Sequence, residues 1–194
     1  MKKILALCAL ALVLAACDKL STKPVVFSSV DLTGADYAKD FKLTDHTGKP
    51  RTMADFKGKV VFLFFGFTQC PDVCPTTMTE LAAVMKELGP KAEQVQVLFV
   101  TVDPERDTQE LLSQYVPVFH PAFLGLRGDA AATAATAREF KVFYAKVAGS
   151  TPGSYSMDHT AASYVFDRQG KIRLYVRPDQ SIAQITQDIQ QLLD

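Results

Sequence analysis

The 194-residue chain carries 21 basic and 21 acidic side chains, so its formal charge at neutral pH is zero. No basic run or patch interrupts that balance, which excludes a nucleic-acid binder held by phosphate contacts. The length suits a single domain, long enough to bury a core that folds without a covalent staple.

At the start, Lys2 and Lys3 precede a short apolar run, Ile4 to Leu14, which ends in Leu14-Ala15-Ala16-Cys17. A positive head, an apolar stretch and small residues are the marks of an export signal. The run is too short to cross a bilayer, which takes about 20 residues. Leu-Ala-Ala-Cys resembles a bacterial lipobox, so residues 1–16 are expected to be a signal peptide, with Cys8 discarded and Cys17 lipidated. In many Gram-negative lipoproteins an aspartate at the position of Asp18 marks retention at the inner membrane. The resemblance therefore implies a lipid-anchored protein on the periplasmic face of that membrane. Residues 17–38, polar and weakly patterned, read as a linker or N-terminal extension, with the folded domain at 39–194.

Within the domain, Phe41 to Leu43 and Arg51 to Met53 alternate around the turn residues Asp45 to Pro50, which predicts a hairpin. Val60 to Phe65 is apolar on both faces and reads as a central buried strand. Pro75 to Leu88 has helical spacing and stops at Gly89-Pro90. Val95 to Val102 predicts a second buried strand, and Asp107 or Thr108 caps a helix through Tyr115. A short apolar stretch at Phe123 to Leu126 precedes an alanine-rich helix over Asp129 to Phe140. Val142 to Val147 reads as a short strand and Gly149 to Asp158 as a loop. Ala162 to Phe166 and Ile172 to Val176 form a hairpin around Asp167 to Gly170, and Ser181 to Leu193 closes as an amphipathic helix. This β-α-β-α, then β-β-α order behind a hairpin predicts an α/β fold. It is a thioredoxin-like three-layer α/β/α sandwich with a central mixed sheet and an N-terminal β-hairpin extension. Its first βαβ unit should be parallel and right-handed.

Cys70 and Cys74 stand where the first core strand hands over to its helix, the edge at which open α/β sheets place their sites. Pro75 suits a first helical turn, so Cys74 sits at a helix N-terminus, where the dipole favours thiolate. Two thiols four residues apart, about 6 Å along a helix, can form a redox disulfide or hold one soft ion. A bridge closing so small a loop stabilises little, so a purely structural disulfide is a poor explanation. Of three histidines, His159 precedes the strand at Ala162 and falls beside the thiols in this topology. His46 lies in the hairpin turn and His120 in a loop, both expected at the surface. Two thiolates and an imidazole suit copper or zinc, and three donors without a fourth suit Cu(I) best. Met157 is expected in the core or at the rim. Asp103 ends the second strand on the same edge, free to orient a partner, tune the thiols or bond His159. Asp158 adjoins His159 but should point the other way.

The runs Gly66-Phe67-Thr68-Gln69-Cys70-Pro71-Asp72-Val73-Cys74-Pro75, Val102-Asp103-Pro104-Glu105-Arg106-Asp107-Thr108 and Asp158-His159-Thr160 resemble, in order and spacing, three signatures of the Sco/SenC proteins. The resemblance covers roughly Val25 to the C-terminus. It implies a thioredoxin-like fold and a membrane-tethered copper carrier with Cys70, Cys74 and His159 as metal ligands. Asp72 and Asp103 would surround that set, and the same two cysteines would form the redox couple. The implied partner is the copper-site subunit of cytochrome c oxidase, whose binuclear copper centre is assembled, or another periplasmic copper chaperone. The alternative is a thiol-disulfide oxidoreductase acting on the acceptor's cysteines, so enzymatic turnover stays open.

Overall fold

A computed structural model describes residues 25–194; the expected signal peptide, Cys8 and the expected lipidation site at Cys17 lie outside the described residues. In chain order the strands are β1 (Val30–Asp31), β2 (Leu43–Asp45), β3 (Pro50–Arg51), β4 (Val60–Gly66), β5 (Val95–Thr101), β6 (Leu124–Arg127), β7 (Tyr144–Ala148), β8 (Tyr155–His159), β9 (Ser163–Phe166) and β10 (Ile172–Val176). The α-helices are α1 (Val73–Leu88), α2 (Gln109–Phe119), α3 (Ala130–Glu139) and α4 (Ile182–Leu193).

Eight strands form one sheet in the order β1-β10-β9-β4-β5-β6-β2-β3, and β7 and β8 form a separate two-stranded sheet. β4, β5 and β6 are parallel to one another, while the flanking pairs are antiparallel. The mixed sheet of the α/β sandwich is thus as expected. Every residue of β4 and of β5 is buried, which is why these strands read as continuous apolar runs rather than alternating ones. Their phenylalanines form the centre of the core, with Phe65 edge-on to Phe140 at 5.5 Å. α1 and α4 pack on each other, burying Leu81, Met85, Ile185 and Ile189.

The hairpin β2–β3 is the sheet's far edge, joined to it through β2 and β6. Asp45 folds its turn, accepting from the Thr47 amide at 2.8 Å, the Thr47 hydroxyl at 2.6 Å and Arg51 Nε at 2.8 Å.

Several segments differ from the sequence reading. Residues 25–38 are docked rather than free from Ser28 onward: the Ser28 and Ser29 amides donate to Asp188 at 2.9 and 2.8 Å, and β1 pairs with β10. α1 begins two residues before Pro75, with Asp72 at its N-cap, because proline is tolerated anywhere in a first turn whose N–H groups lack intrahelical partners. α2 runs past Tyr115 and through Pro117 to Phe119. The stretch Gly149–Asp158 is not all loop: its second half is β8, the return strand of a hairpin with β7. Its alternation was hidden by the small and polar residues of the tip.

Candidate metal centre

Three elements meet at the carboxyl edge of β4. The chain leaves the sheet at Gly66 and enters α1 at Val73. Cys74, in the helix's first turn, is completely buried, while Cys70 on the loop is half-buried. The Cys74 amide points at Cys70 Sγ across 3.4 Å, so a helix N-terminal N–H faces the outer sulfur. Gly66 makes room for the inner one. A Cβ there would lie 2.9 Å from Cys74 Sγ, 2.8 Å from Phe99 Cε2 and 3.0 Å from Phe64 Cε1.

His159 ends β8 and arrives from the separate sheet. Its Nε2 stands 3.5 Å from Cys74 Sγ, and its Nδ1 lies 3.0 Å from the Thr160 carbonyl. A proton on Nδ1 satisfies that carbonyl and leaves the Nε2 lone pair facing the thiols, the usual arrangement of a ligating histidine. Phe67 and Phe64 stand edge-on to the ring, at 5.8 and 6.2 Å between centroids. The donor atoms of Cys70, Cys74 and His159 all lie within 4.8 Å of one another, the one such group found among the described residues. Donors bonded to one ion at about 2.0–2.3 Å lie within about 4 Å of each other, so this set needs only a small contraction to close on a metal.

Electrostatics corrects one expectation. The helix N-terminus should favour the Cys74 thiolate, yet burial pushes the thiol's pKa up and outweighs the rest. Cys74 is therefore a thiol in the metal-free protein near neutrality. Burial pushes His159 down, keeping the imidazole neutral and able to donate its lone pair.

Asp103 does reach this edge, and it is buried, but it does not bond His159. Its carboxylate pairs with Arg106 Nε and accepts from the Tyr155 hydroxyl at 3.0 Å. Arg106 Nη1 donates to Gln69 Oε1 at 3.0 Å and to the Tyr155 carbonyl at 2.8 Å, and its guanidinium sits 3.7 Å from the centre of the Tyr155 ring. One arginine thus ties the thiol loop, the end of β5 and the histidine-bearing hairpin together. Asp107 holds the loop from below, accepting from the Thr68 hydroxyl at 2.6 Å and the Thr101 hydroxyl at 2.5 Å. Sequence reasoning missed these roles of Arg106, Asp107, Tyr155 and Gly66. The charged run at 103–107 was the available signal for two of them.

Asp72 caps the helix by position only and is exposed, as is Asp158, which points away from the His159 face. Met157 is buried. His46 is half-buried, its Nδ1 accepting from the Gly125 amide at 3.0 Å, which corrects its placement in a solvated turn. His120 accepts from the Ala122 amide at 3.2 Å and is likewise half-buried.

Comparison with known proteins gives one consistent result. The family model described as SCO1/SenC matches residues 30–194. A curated relative, the mitochondrial Protein SCO2 homolog of Bos taurus, is 41% identical over 152 residues, covering 77% of this chain and 57% of that one. The chain therefore spans little more than half the length of that relative. The solution structure of apo Sco1 from Thermus thermophilus superposes with a TM-score of 0.78 at 43% identity, over 87% of this chain and 98% of that one. The structure of ScoI from Bradyrhizobium japonicum, which has copper bound, gives 0.74 at 38% identity, over 79% and 98%.

Proposed function

Because the chain belongs to the SCO1/SenC family, we propose that it is a copper carrier: Cys70, Cys74 and His159 hold one copper ion and release it to an acceptor protein. The observation that carries this reading is the convergence of two sulfurs and one imidazole nitrogen within 4.8 Å. The donor set fits the cargo, since two thiols and an imidazole suit soft copper and disfavour magnesium or calcium. Solved relatives hold copper, in agreement. The acceptor in this proposal is the copper-site subunit of cytochrome c oxidase, whose binuclear copper centre the protein helps assemble, or a second periplasmic copper chaperone. Residues 1–16 are removed and Cys17 is lipidated, which holds the domain at 39–194 against the periplasmic face of the inner membrane. No helix among the described residues is long and apolar enough to cross a membrane.

Titration of reduced protein with Cu(I) against a chelator tests the ligand set. One equivalent should bind tightly, and Cys74→Ala or His159→Ala should each weaken it by a factor of about 10 or more. Unchanged affinity in both variants overturns the assignment. Mass spectrometry of the membrane fraction tests the anchor, through the lipid mass on Cys17.

A second reading, thiol-disulfide exchange with a partner's cysteines, is favoured by the contrast between the two thiols. Cys70 is half-exposed and open to attack, and Cys74 is buried behind it as the resolving thiol. Turnover of a disulfide substrate by His159→Ala protein would establish it.

A further inference from the structure

In the two-stranded sheet β7–β8 the outer edge of each strand has no partner strand, and the outer edge of β8 runs beside the thiols. β8 pairs with β7 alone. The Thr160 amide donates to the Phe143 carbonyl and the Gly149 amide to the Ser154 carbonyl. Bonded pairs alternate along an antiparallel ladder. Given the register Ala145↔Asp158 and Val147↔Ser156, those two pairs are the bonded ones. The N–H and carbonyl groups of Tyr155, Met157 and His159 therefore point away from β7. The Tyr155 carbonyl shows this directly, because it accepts from Arg106 on that side at 2.8 Å. Among the described residues, no backbone or side-chain hydrogen bond from outside β7 engages the main-chain groups of Met157 or His159.

That open edge forms one wall of a cleft of about 230 Å³, and the loop Cys70–Val73 forms the other, with Phe67 between them. Cys70 borders the cleft, and Cys74 is sealed below it. Two carboxylates, Asp72 and Asp158, line the cleft, and no lysine or arginine does. Pro71 and Val73 offer exposed apolar surface on the loop side.

We propose that this cleft takes an extended, basic, cysteine-bearing segment of a partner protein as a third strand of the β7–β8 sheet, bonded to the main chain of Met157 and His159. An unpaired edge supplies the affinity of such a contact through backbone hydrogen bonds, and alternate side chains supply its selectivity. Four residues of β8, Ser156 to His159, offer about 10 Å of template. The residue of the added strand opposite His159 shares the imidazole's face, with Cβ atoms about 5 Å apart. A cysteine there is aimed at Cys70 and the donor set, whereas its neighbours along the strand point away. Lysine or arginine residues next to that cysteine share the face of Asp158, and the loop wall adds Asp72. The proposal rests on the copper-carrier reading only for why a thiol partner visits this edge; the docking itself needs no metal.

The test uses reduced, metal-free protein, kept under reductant, and a blocked peptide Val-Lys-Cys-Lys-Val, which puts its lysines on the Asp158 face. Hydrogen exchange followed by NMR should slow about tenfold or more at the Met157 and His159 amides on saturation with peptide, and not at Asp158. A peptide N-methylated at the residues facing the edge should not bind. Asp72→Asn with Asp158→Asn should weaken binding several-fold, and added salt should weaken it in the native protein. Binding without protection of those two amides overturns the proposal, as does absence of binding at millimolar peptide in protein that takes up copper normally. Protection of the same amides by concentration of the protein alone would assign the edge to a second copy and also overturn it. Loss of copper affinity in His159→Ala protein, measured separately, reports on the donor set and leaves the amide result interpretable.

Discussion

Gly66 gives the sharpest test of how the inner thiol is seated. Gly66→Ala adds one methyl group where three neighbours already stand at 2.8, 2.9 and 3.0 Å: Phe99 Cε2, Cys74 Sγ and Phe64 Cε1. Ordinary carbon contacts begin near 3.5 Å, so each neighbour must retreat by about 0.5 Å or more. Phe64 and Phe99 are fully buried and their rings are 6.1 Å apart, so neither has space to move into. Overpacking of this kind costs about 1–3 kcal/mol, partly offset by about 0.5–1 kcal/mol because alanine restricts the unfolded chain more than glycine. A net loss of about 1–2 kcal/mol is expected, lowering Tm by roughly 2–8 °C in a domain of this size. Cys74 Sγ is one of the three atoms that must yield, so it should be displaced and Cu(I) affinity should fall with stability. Gly125→Ala is the control. Its Cβ would meet Val116 Cγ2 at 2.9 Å and Leu112 Cβ at 3.3 Å, beneath α2 and away from the ligands. It should destabilise comparably and leave copper affinity alone. Urea unfolding and chelator competition on both variants decide the matter. A Gly66→Ala protein within 0.5 kcal/mol of the parent, with unchanged copper affinity, would refute the packing argument.

Four further expectations concern charges and the hydrogen bonds that hold them. Metal binding must displace the proton that burial keeps on Cys74, so apparent copper affinity should rise by at least about tenfold per pH unit between roughly pH 6 and 8; an affinity independent of pH in competition titrations would contradict this. Arg106→Ala leaves the buried Asp103 carboxylate unpaired and should cost about 3 kcal/mol in urea unfolding, with faster hydrogen exchange along β8. Tyr155→Phe, which removes only the hydroxyl, should cost about 1 kcal/mol, and equal stabilities for all three proteins would show that the clasp is idle. Burial raises the Asp45 pKa, but Thr47, Arg51 and two backbone amides more than reverse that and hold it at about 2. Its contribution of about 2 kcal/mol is then complete above pH 4 and lost as pH falls through 2. Asp45→Asn should flatten that part of the stability profile, and an unaltered acid limb would count against the assignment.

The parts of the fold legible in the sequence were those with one dominant physical signal. β4 and β5 could be read because both of their faces are buried, and α4 because its apolar stripe repeats at helical spacing over Ile182, Ile185 and Ile189. Cys70, Cys74 and His159 were legible as a chemical set, since few other groupings of soft donors exist in the chain. What stayed hidden was relational. β8 has a small, polar tip and only one partner strand, so neither propensity nor alternation marked it. The role of Asp103 was open because its partner, Tyr155, lies 52 positions away. The direction of the Cys74 pKa depended on the balance of helix dipole against burial, and only the packing of Gly66, Phe64 and Phe99 around the sulfur decides it.

That balance shapes how the site can exchange an ion. A sulfur on the surface at a helix N-terminus would stand ready as thiolate, open to any oxidant or metal. Cys74 instead stays protonated and enclosed until an ion displaces its proton, so stable binding requires the proton to leave as the metal arrives. Any incoming ligand must meet Cys70 first, the half-exposed sulfur. The third donor comes from a separate two-stranded sheet, moored to the thiol loop largely through Arg106. Two ligands are therefore set by the rigid β4–α1 junction, and the third depends on a smaller element with fewer anchors. Release should accordingly begin at His159 and Cys70 and end at Cys74. Stopped-flow transfer of copper to a chelator would show this order: His159→Ala should accelerate the first phase, and Gly66→Ala the last.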